Sequence, residues 1–300
     1  MAEWLVAGAS GFVGAGIVRE LASAGHGVTA VRSPRLSIDP HTAPEDLVRA
    51  FGKRTAEIGD LASTFAGHDV VLNAAGLATP GAAESPELYG ANAGLPVLIA
   101  MAARRAGVRT FIHISSAAVQ GNRPELDGSW DQKPFSPYSD AKALGERALR
   151  HLMDDAEMNV RIVRATSVQG PTRATTRSLV RFARSPLASV AAPGTAPSPV
   201  SSLEGLATFV VGVGEAPLRV PPITVQPWEG LSVGDVVRRF GHKEPLQLPP
   251  FLCHSALRVG YGLAKLGSPK LESLIRRAEL LWFGQPIDMQ SAGQVTKPGS

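Results

Sequence analysis

Hydrophobic positions in the first 170 residues gather in short, nearly unbroken runs instead of alternating with polar ones. The runs are Trp4-Leu-Val-Ala-Gly8, Val28-Thr-Ala-Val31, Asp69-Val-Val-Leu-Asn-Ala-Ala75, Thr110-Phe-Ile-His-Ile-Ser115 and Val160-Arg-Ile-Val-Arg-Ala165. Strands that are apolar on both faces belong in a parallel sheet covered on both sides. Between them, longer helical patterns lie near Val13 to Ser23, Leu61 to Phe65, Glu84 to Arg105 and Pro137 to Ala156. Repeated strand–helix units predict an α/β, doubly wound parallel sheet. Pro96 removes a backbone donor inside the third helical stretch, so a kink or restart is expected there.

After Gly170-Pro171 the pattern loosens. Residues 185–200 are rich in Pro, Ala and Ser and read as a surface excursion or mobile loop. Periodic segments return at Leu203 to Val213, Ser232 to Phe240 and Leu257 to Leu281. The expected organisation is a nucleotide-binding domain over 1–170 with a return segment near 201–226. A smaller, mostly helical C-terminal substrate lobe would be built from 171–200 and 227–295, and 296–300 would form a frayed tail.

Composition removes several alternatives. A single cysteine, Cys253, excludes a disulfide scaffold, a zinc ribbon and an iron–sulfur centre, and no metal site is expected. The formal net charge is +4, with the arginines scattered, so no nucleic-acid partner is expected. No apolar run reaches the ~18 residues of a membrane span, and the start Met1-Ala-Glu-Trp4 lacks the basic segment of a secretory signal. The expectations are a cytoplasmic location and no membrane partner.

The first run leads directly into Gly8-Ala-Ser10-Gly11-Phe12-Val13-Gly14 and then a helix. A glycine loop in that setting brings backbone amides and the positive end of a helix dipole against a pyrophosphate. The spacing, Gly-x-x-Gly-x-x-Gly, differs from the Gly-x-Gly-x-x-Gly dinucleotide fingerprint. Any Cβ is expected to stand where phosphate oxygens go. The sheet is thus read as Rossmann-type, with a nicotinamide dinucleotide as cofactor. The second strand ends Val31-Arg32-Ser33-Pro34-Arg35, with no carboxylate before Asp39. An acidic residue there would bind a ribose 2′-hydroxyl, whereas Arg32 suits a 2′-phosphate, which favours NADP over NAD.

Chemistry is carried by Tyr138 and Lys142, four apart on one helix face, and by Ser116 just past the fourth strand. To exchange protons near neutrality a tyrosine must fall about three units from its usual pKa, about 4 kcal/mol in favour of phenolate. A neighbouring ammonium, a helix N-terminus and an oxidised nicotinamide would each help. A second Tyr-x-x-x-Lys, Tyr261 to Lys265, has no upstream strand and serine and reads as a packing helix.

With these residues the chain resembles an extended short-chain dehydrogenase/reductase of the NAD-dependent epimerase/dehydratase group over about residues 3–293. Further matches are Gly59-Asp60-Leu61, Asn73-Ala74-Ala75-Gly76, Asn92 with Gly94, Ser115-Ser116-Ala117-Ala118-Val119-Gln120-Gly121 and Gly170-Pro171. The resemblance implies that Ser116 and Tyr138 hydrogen-bond the reacting oxygen, Tyr138 moves its proton, and Lys142 holds the nicotinamide ribose and lowers the tyrosine pKa. It implies that Asp60, with Leu61, meets the adenine and that Asn73 to Gly76, with Ser115, lie along the cofactor. Asn92 would support the sheet or a water in the proton path. It further implies that the helices before the fourth and fifth strands can pair two copies, so a homodimer is possible.

Departures from the family pattern narrow the reaction. Sugar 4,6-dehydratases of the family carry Asp-Glu where this chain has Ala117-Ala118, which argues against dehydration. Members that epimerise at carbons 3 and 5 use a Cys-His pair. Here Cys253 and His254 are sequence neighbours in the distal lobe and do not face each other. His113 reads as a core histidine and His26 as part of a turn. Gln120 replaces the tyrosine usual before Gly121, and the arginine that helps nucleotide-sugar enzymes bind a diphosphate is missing from Pro197 to Glu204. Arg173 and Arg177, with Arg181, are candidates to replace it; Ser116, Ala117 and Gln120 complete the expected substrate contacts. The reading is an NADP(H)-dependent oxidoreductase, a ketoreductase acting on a small-molecule carbonyl such as a nucleotide-linked keto sugar or another natural-product ketone. The alternatives are a nucleotide-sugar 4-epimerase with tightly held NAD and a non-catalytic NADP-binding regulatory module.

Overall fold

A computed structural model describes residues 1–78, 83–153, 157–264 and 269–290. The chain opens with β1 (Glu3–Ala7), whose last four residues are fully buried, and passes through the glycine loop into α1 (Phe12–Ser23). β2 (Gly27–Val31) follows, then α2 (Pro44–Gly52), α3 (Thr55–Phe65) and β3 (Val70–Asn73). Next come α4 (Pro86–Tyr89), a π-helical turn (Gly90–Gly94) and α5 (Leu95–Arg105). Pro96 sits in the first turn of α5, where a missing N–H costs least, and the restart expected there takes the form of the π turn just before it.

β4 (Thr110–Ser116), α6 (Pro137–Arg150) and β5 (Asn159–Ala165) complete the strand–helix alternation. All pairings in the six-stranded sheet are parallel, in the order β2-β1-β3-β4-β5-β9. Its last strand comes from the return segment. After β6 (Ser167–Gln169), α7 (Ala174–Arg184) and β7 (Ser189–Ala191), the chain runs through β8 (Val200–Ser202) and α8 (Leu203–Glu215) into β9 (Ile223–Val225). α9 (Val233–Gly241), β10 (Leu246–Leu248), α10 (Pro250–Ala264) and α11 (Pro269–Phe283) finish the second lobe.

Successive strand residues feed two separate cores. Trp4, Val6, Leu72, Ile112 and Val163 meet α1 and α8 on one face. Leu5, Val71, Phe111, Val160 and Ile162 meet α2, α3, α5 and α6 on the other.

The structure departs from expectation in two places, the Gly59 tripeptide and the 185–200 segment. Among the described residues β2 is the edge of the sheet, with Thr29 and Ala30 exposed. The segment after it, broken by Pro34, Pro40 and Pro44, instead places Ile38, Leu47 and Phe51 in the core formed by α5 and α6, and Ile38 N donates to Pro86 O (2.9 Å). Gly59-Asp60-Leu61 accordingly lies inside α3, because Ile58, Ala62 and Phe65 repeat at helical spacing and bury one face. α5 and α6, the helices before the fourth and fifth strands, pack largely within the chain. Every residue from Leu95 to Ala103 except Met101 is buried, as is most of α6. The 185–200 segment is built into the second lobe: Ser189, Val190 and Ala191 form a buried strand paired with β10, and Pro197 O accepts from Gln285 N (2.9 Å). The expected tail, 296–300, and Lys265 lie outside the described residues.

Candidate active site

At the carboxyl edge of the sheet the glycine loop turns under the end of β3. Gly8 has φ +83°, and a Cβ there would come within 2.5 Å of Ala75 N; one on Gly14 would come within 2.1 Å of Gly8 O. The expectation that phosphate oxygens would occupy those positions is corrected: at Gly8 and Gly14 it is the chain's own backbone that excludes a side chain. No side chain caps the N-terminus of α1 at Gly11, so the helix end next to Ser10, Phe12 and Val13 keeps its amides available to an anion.

α6 begins with a reciprocal capping box between Ser136 and Ser139 and with Pro137 in its first turn. That fixed start sets Tyr138, Lys142 and Glu146 on one stripe of the helix, facing β4. Ser116, at the end of β4, accepts from Ala118 N (3.2 Å) and lies beside the Tyr138 phenol, which its hydroxyl acidifies. Lys142 Nζ donates to Ile114 O (2.9 Å). Burial pulls the Lys142 ammonium down to about 8, against the opposing charge of Glu146. Burial raises the Tyr138 phenol, and the groups opposing this are the Ser116 hydroxyl and the Arg173 charge. Lys142, expected to acidify the phenol, is therefore not what offsets its burial in the free protein.

Beneath this row lies a charged network that sequence reasoning missed. Glu146 and Arg164 are both fully buried and joined by two hydrogen bonds, Nη2 to Oε2 (2.7 Å) and Nε to Oε1 (3.1 Å). Ser115 Oγ and Gln132 Nε2 donate to the same carboxylate (2.6 and 2.8 Å). The Ser115 hydroxyl is thus taken up by the buried carboxylate, while Ser115 itself still lines the crevice.

The residues expected along the cofactor divide into groups. Asn73 uses its side chain to hold Ala75 N (3.1 Å) and to donate to His113 Nδ1 (3.2 Å). Burial, reinforced by the Lys142 charge, holds His113 far below its usual range and neutral. Asn92 donates to Leu77 O and Leu88 O (both 3.1 Å) and leaves Oδ1 buried without a partner. A Cβ on Gly76 would fall 2.7 Å from that oxygen and 3.3 Å from Lys142 Nζ. Gly76 thereby keeps open a cradle flanked by one acceptor and one ammonium, which suits a ribose hydroxyl. On these observations the residues fit a nicotinamide dinucleotide. Arg32 is exposed just past β2. Asp60, with Leu61, is not brought to this edge, since it projects from the middle of α3.

A crevice of about 250 Å³ joins Val13, Ala74 to Gly76, Asn92, Ser116, Tyr138 and Lys142 to the second lobe. Ala117 and Ala118 line it. Gln120 does not: its amide is fully buried and exchanges two hydrogen bonds with Asp127 (2.6 and 2.9 Å). Arg173 lines the crevice, donates to Val168 O (3.0 Å) and lies over the Phe12 ring at 5.2 Å. Arg177 does not reach it, opening instead on a separate surface with Arg181 and Arg184. The crevice also receives Arg276, Arg277 and Leu280 from α11. Arg276 is anchored on Gly121 O (2.8 Å) and Glu279 (2.6 Å), with Nε unpartnered. No Asp, Glu or His is among the described lining residues; every charged group there is a cation.

The remaining titratable candidates lie elsewhere. Cys253 points inward while His254 stacks on Phe283 (4.3 Å), and Tyr261 donates to Glu279 (2.6 Å). His26 bridges Ala2 N and Glu215.

The family model for NAD dependent epimerase/dehydratases matches residues 4–195. The chain belongs to that family. Among curated relatives it is 30% identical over 176 residues to UDP-glucose 4-epimerase of Mycolicibacterium smegmatis, covering 56% of each chain. It is 29% identical over 192 residues to dTDP-glucose 4,6-dehydratase of Streptomyces griseus, covering 59% of this chain and 58% of the relative. The matches thus span little more than half the length of these relatives. Among solved structures, UDP-glucuronic acid 4-epimerase from Bacillus cereus, in complex with NAD, aligns with a TM-score of 0.58 at 20% identity, over 82% of this chain and 87% of that one. A dTDP-4-dehydrorhamnose reductase from Clostridium acetobutylicum aligns with a TM-score of 0.56 at 19% identity, over 82% and 83%. These likenesses establish the fold, and no described helix is long and apolar enough to cross a membrane.

Proposed function

We propose that the protein is an NADP(H)-dependent reductase of a small-molecule ketone. The observation that carries this reading is the lining of the crevice. Ser116, Tyr138 and Lys142 meet there, and no carboxylate is among the described lining residues. When bound, the dinucleotide supplies the hydride. Ser116 and Tyr138 would hold the carbonyl oxygen, and the Tyr138 hydroxyl would donate the proton that the new alcohol needs. Lys142, the Gly76 cradle and Asn92 Oδ1 would fix the ribose. Water loss from a sugar requires an additional acid and base, and Ala117 and Ala118 supply neither. Arg173, with Arg276 and Arg277 from α11, favours a substrate bearing an anionic group.

NADP is favoured by Arg32 and by the absence of a carboxylate at the end of β2. The test is NADPH and NADH oxidation against a panel of ketones, with Arg32→Ala alongside. A selective loss of NADPH affinity supports the cofactor assignment, and equal loss for both cofactors contradicts it. A second reading, 4-epimerisation with retained NAD, is supported by the match to the M. smegmatis epimerase. Inversion of a nucleotide sugar without net cofactor turnover would select it over reduction.

A further inference from the structure

Glu146 stands one helical turn beyond Lys142, as Lys142 stands one turn beyond Tyr138. Its carboxylate accepts four hydrogen bonds from three other parts of the chain: Ser115 Oγ on β4 (2.6 Å), Arg164 Nε and Nη2 on β5 (3.1 and 2.7 Å), and Gln132 Nε2 (2.8 Å) from the segment that leads into α6. Arg164 carries the tie further, donating through Nη1 to Asp127 O (3.0 Å) and Ser129 O (2.8 Å). That segment, 121–136, walls the crevice at Gly121, Leu126, Phe135 and Ser136 and ends in the cap that starts α6. β4 and β5 are already joined along seven paired residues, so the sheet keeps its register without the hub. Well-packed apolar residues can replace a buried ion pair with little loss, or even a gain, in stability. Two charges at 0% exposure are thus not what packing requires.

We propose that Glu146 is a positioning residue for the proton-transfer row, its carboxylate acting as the counter-charge of the Lys142 ammonium and as the peg that holds the Ser116 strand end and the 121–136 wall against α6. The inference rests on the reading of Ser116, Tyr138 and Lys142 as that row. The one hydrogen bond from Lys142 Nζ described above goes to a neutral carbonyl, Ile114 O (2.9 Å). The titratable or charged groups that face it are Tyr138 and Glu146 on its own helix, His113 on β4, and Arg173, Arg276 and Arg277 lining the same crevice. Of these, Glu146 alone is an anion at neutral pH; the arginines carry the sign of Lys142 itself. Within the buried pair, Glu146 is also the member whose charge reaches Lys142 and opposes the effect of burial. Without it the ammonium would give up its proton more readily, and a neutral amine holds a ribose hydroxyl less strongly.

The test is an NMR titration of the full chain, free of ligand and carrying isotope-labelled lysine, with the Lys142 signal assigned by its loss in Lys142→Met. Wild type should titrate at about 8. Glu146→Gln removes the charge and keeps the shape, and should move that titration down by at least ~1 pH unit. It also leaves Arg164 an uncompensated buried cation, so Glu146→Leu with Arg164→Met, which removes both charges, is the second variant and should show the same downward shift. Glu146→Asp keeps the charge and should titrate near the wild-type pH. NADPH affinity, followed by fluorescence, should begin its alkaline decline at a lower pH in both charge-removing variants. A Lys142 titration unmoved in those two variants, or moved equally by Glu146→Asp, would overturn the proposal. Because this titration needs no substrate, failure to reduce any ketone would strike the reductase reading, whereas an unmoved Lys142 would strike this one.

Discussion

Lys142 is held as a largely buried cation at the wall of the crevice, and this should cost the fold measurable stability. Burial lowers its pKa from the ordinary 10.5 to about 8. At about 1.4 kcal/mol per pH unit, keeping it charged at neutral pH costs about 3 kcal/mol. Lys142→Met replaces the ammonium with a flexible apolar side chain of similar length but leaves Ile114 O without its 2.9 Å donor, a loss of about 1 kcal/mol. The variant should therefore be more stable than wild type by about 2 kcal/mol at pH 7 and should lose activity, as expected where function is maintained at the expense of stability. The pH dependence is the sharper signature. Between about pH 8 and 10.5 the unfolded chain holds this proton and the folded protein does not, so wild-type stability rises with pH relative to the variant. Urea unfolding at pH 6.5, 8 and 9.5 measures the gap, which should be widest at the lowest pH and shrink steadily above pH 8. A gap that stays constant across this range, or a variant less stable throughout, would show that Lys142 is not a desolvated cation.

Other consequences of the packing can be measured separately. Arg164→Met strands Glu146 in a fully buried position and should cost about 3–5 kcal/mol in a denaturant melt; replacing both partners together by apolar residues should cost markedly less. Gly8→Ala forces a Cβ to within 2.5 Å of Ala75 N at a φ of +83°, and thermal unfolding should report a loss of at least ~1–3 kcal/mol even without any ligand, which would separate a backbone requirement from a phosphate-binding one.

The sheet was legible because its strands are short apolar runs, and the nearness of Tyr138 to Lys142 because the two stand four apart on one helix face. What escaped reading depends on long-range packing. The tripeptide at Gly59 matches the family pattern, yet Ile58, Ala62 and Phe65 repeat at helical spacing around it, and the helix period prevails. The Pro-rich 185–200 segment reads as loop from composition, but Ala188, Val190 and the Pro197 carbonyl are needed by the second lobe. Arg164 sits in an apolar run where a charge predicts nothing unless Glu146, 18 residues earlier, is known to face it. Arg276 and Arg277 enter the crevice from the far end of the chain, and no local pattern marks them. The signal available for them was an arginine pair on a helix that also carries a regular apolar stripe. Gln120 shows the reverse error: it adjoins the serine row in sequence, but its amide is turned inward to Asp127.

The most direct test of the central claim, that Ser116, Tyr138 and Lys142 form a proton-transfer row for a bound nicotinamide, is transfer of deuterium from 4-deuterated NADPH to a reduced ketone by wild type and Tyr138→Phe. The account predicts stereospecific label transfer by wild type and a rate about 10²–10⁴-fold lower in the variant, with NADPH affinity unchanged. Label transfer at the wild-type rate by Tyr138→Phe would contradict it.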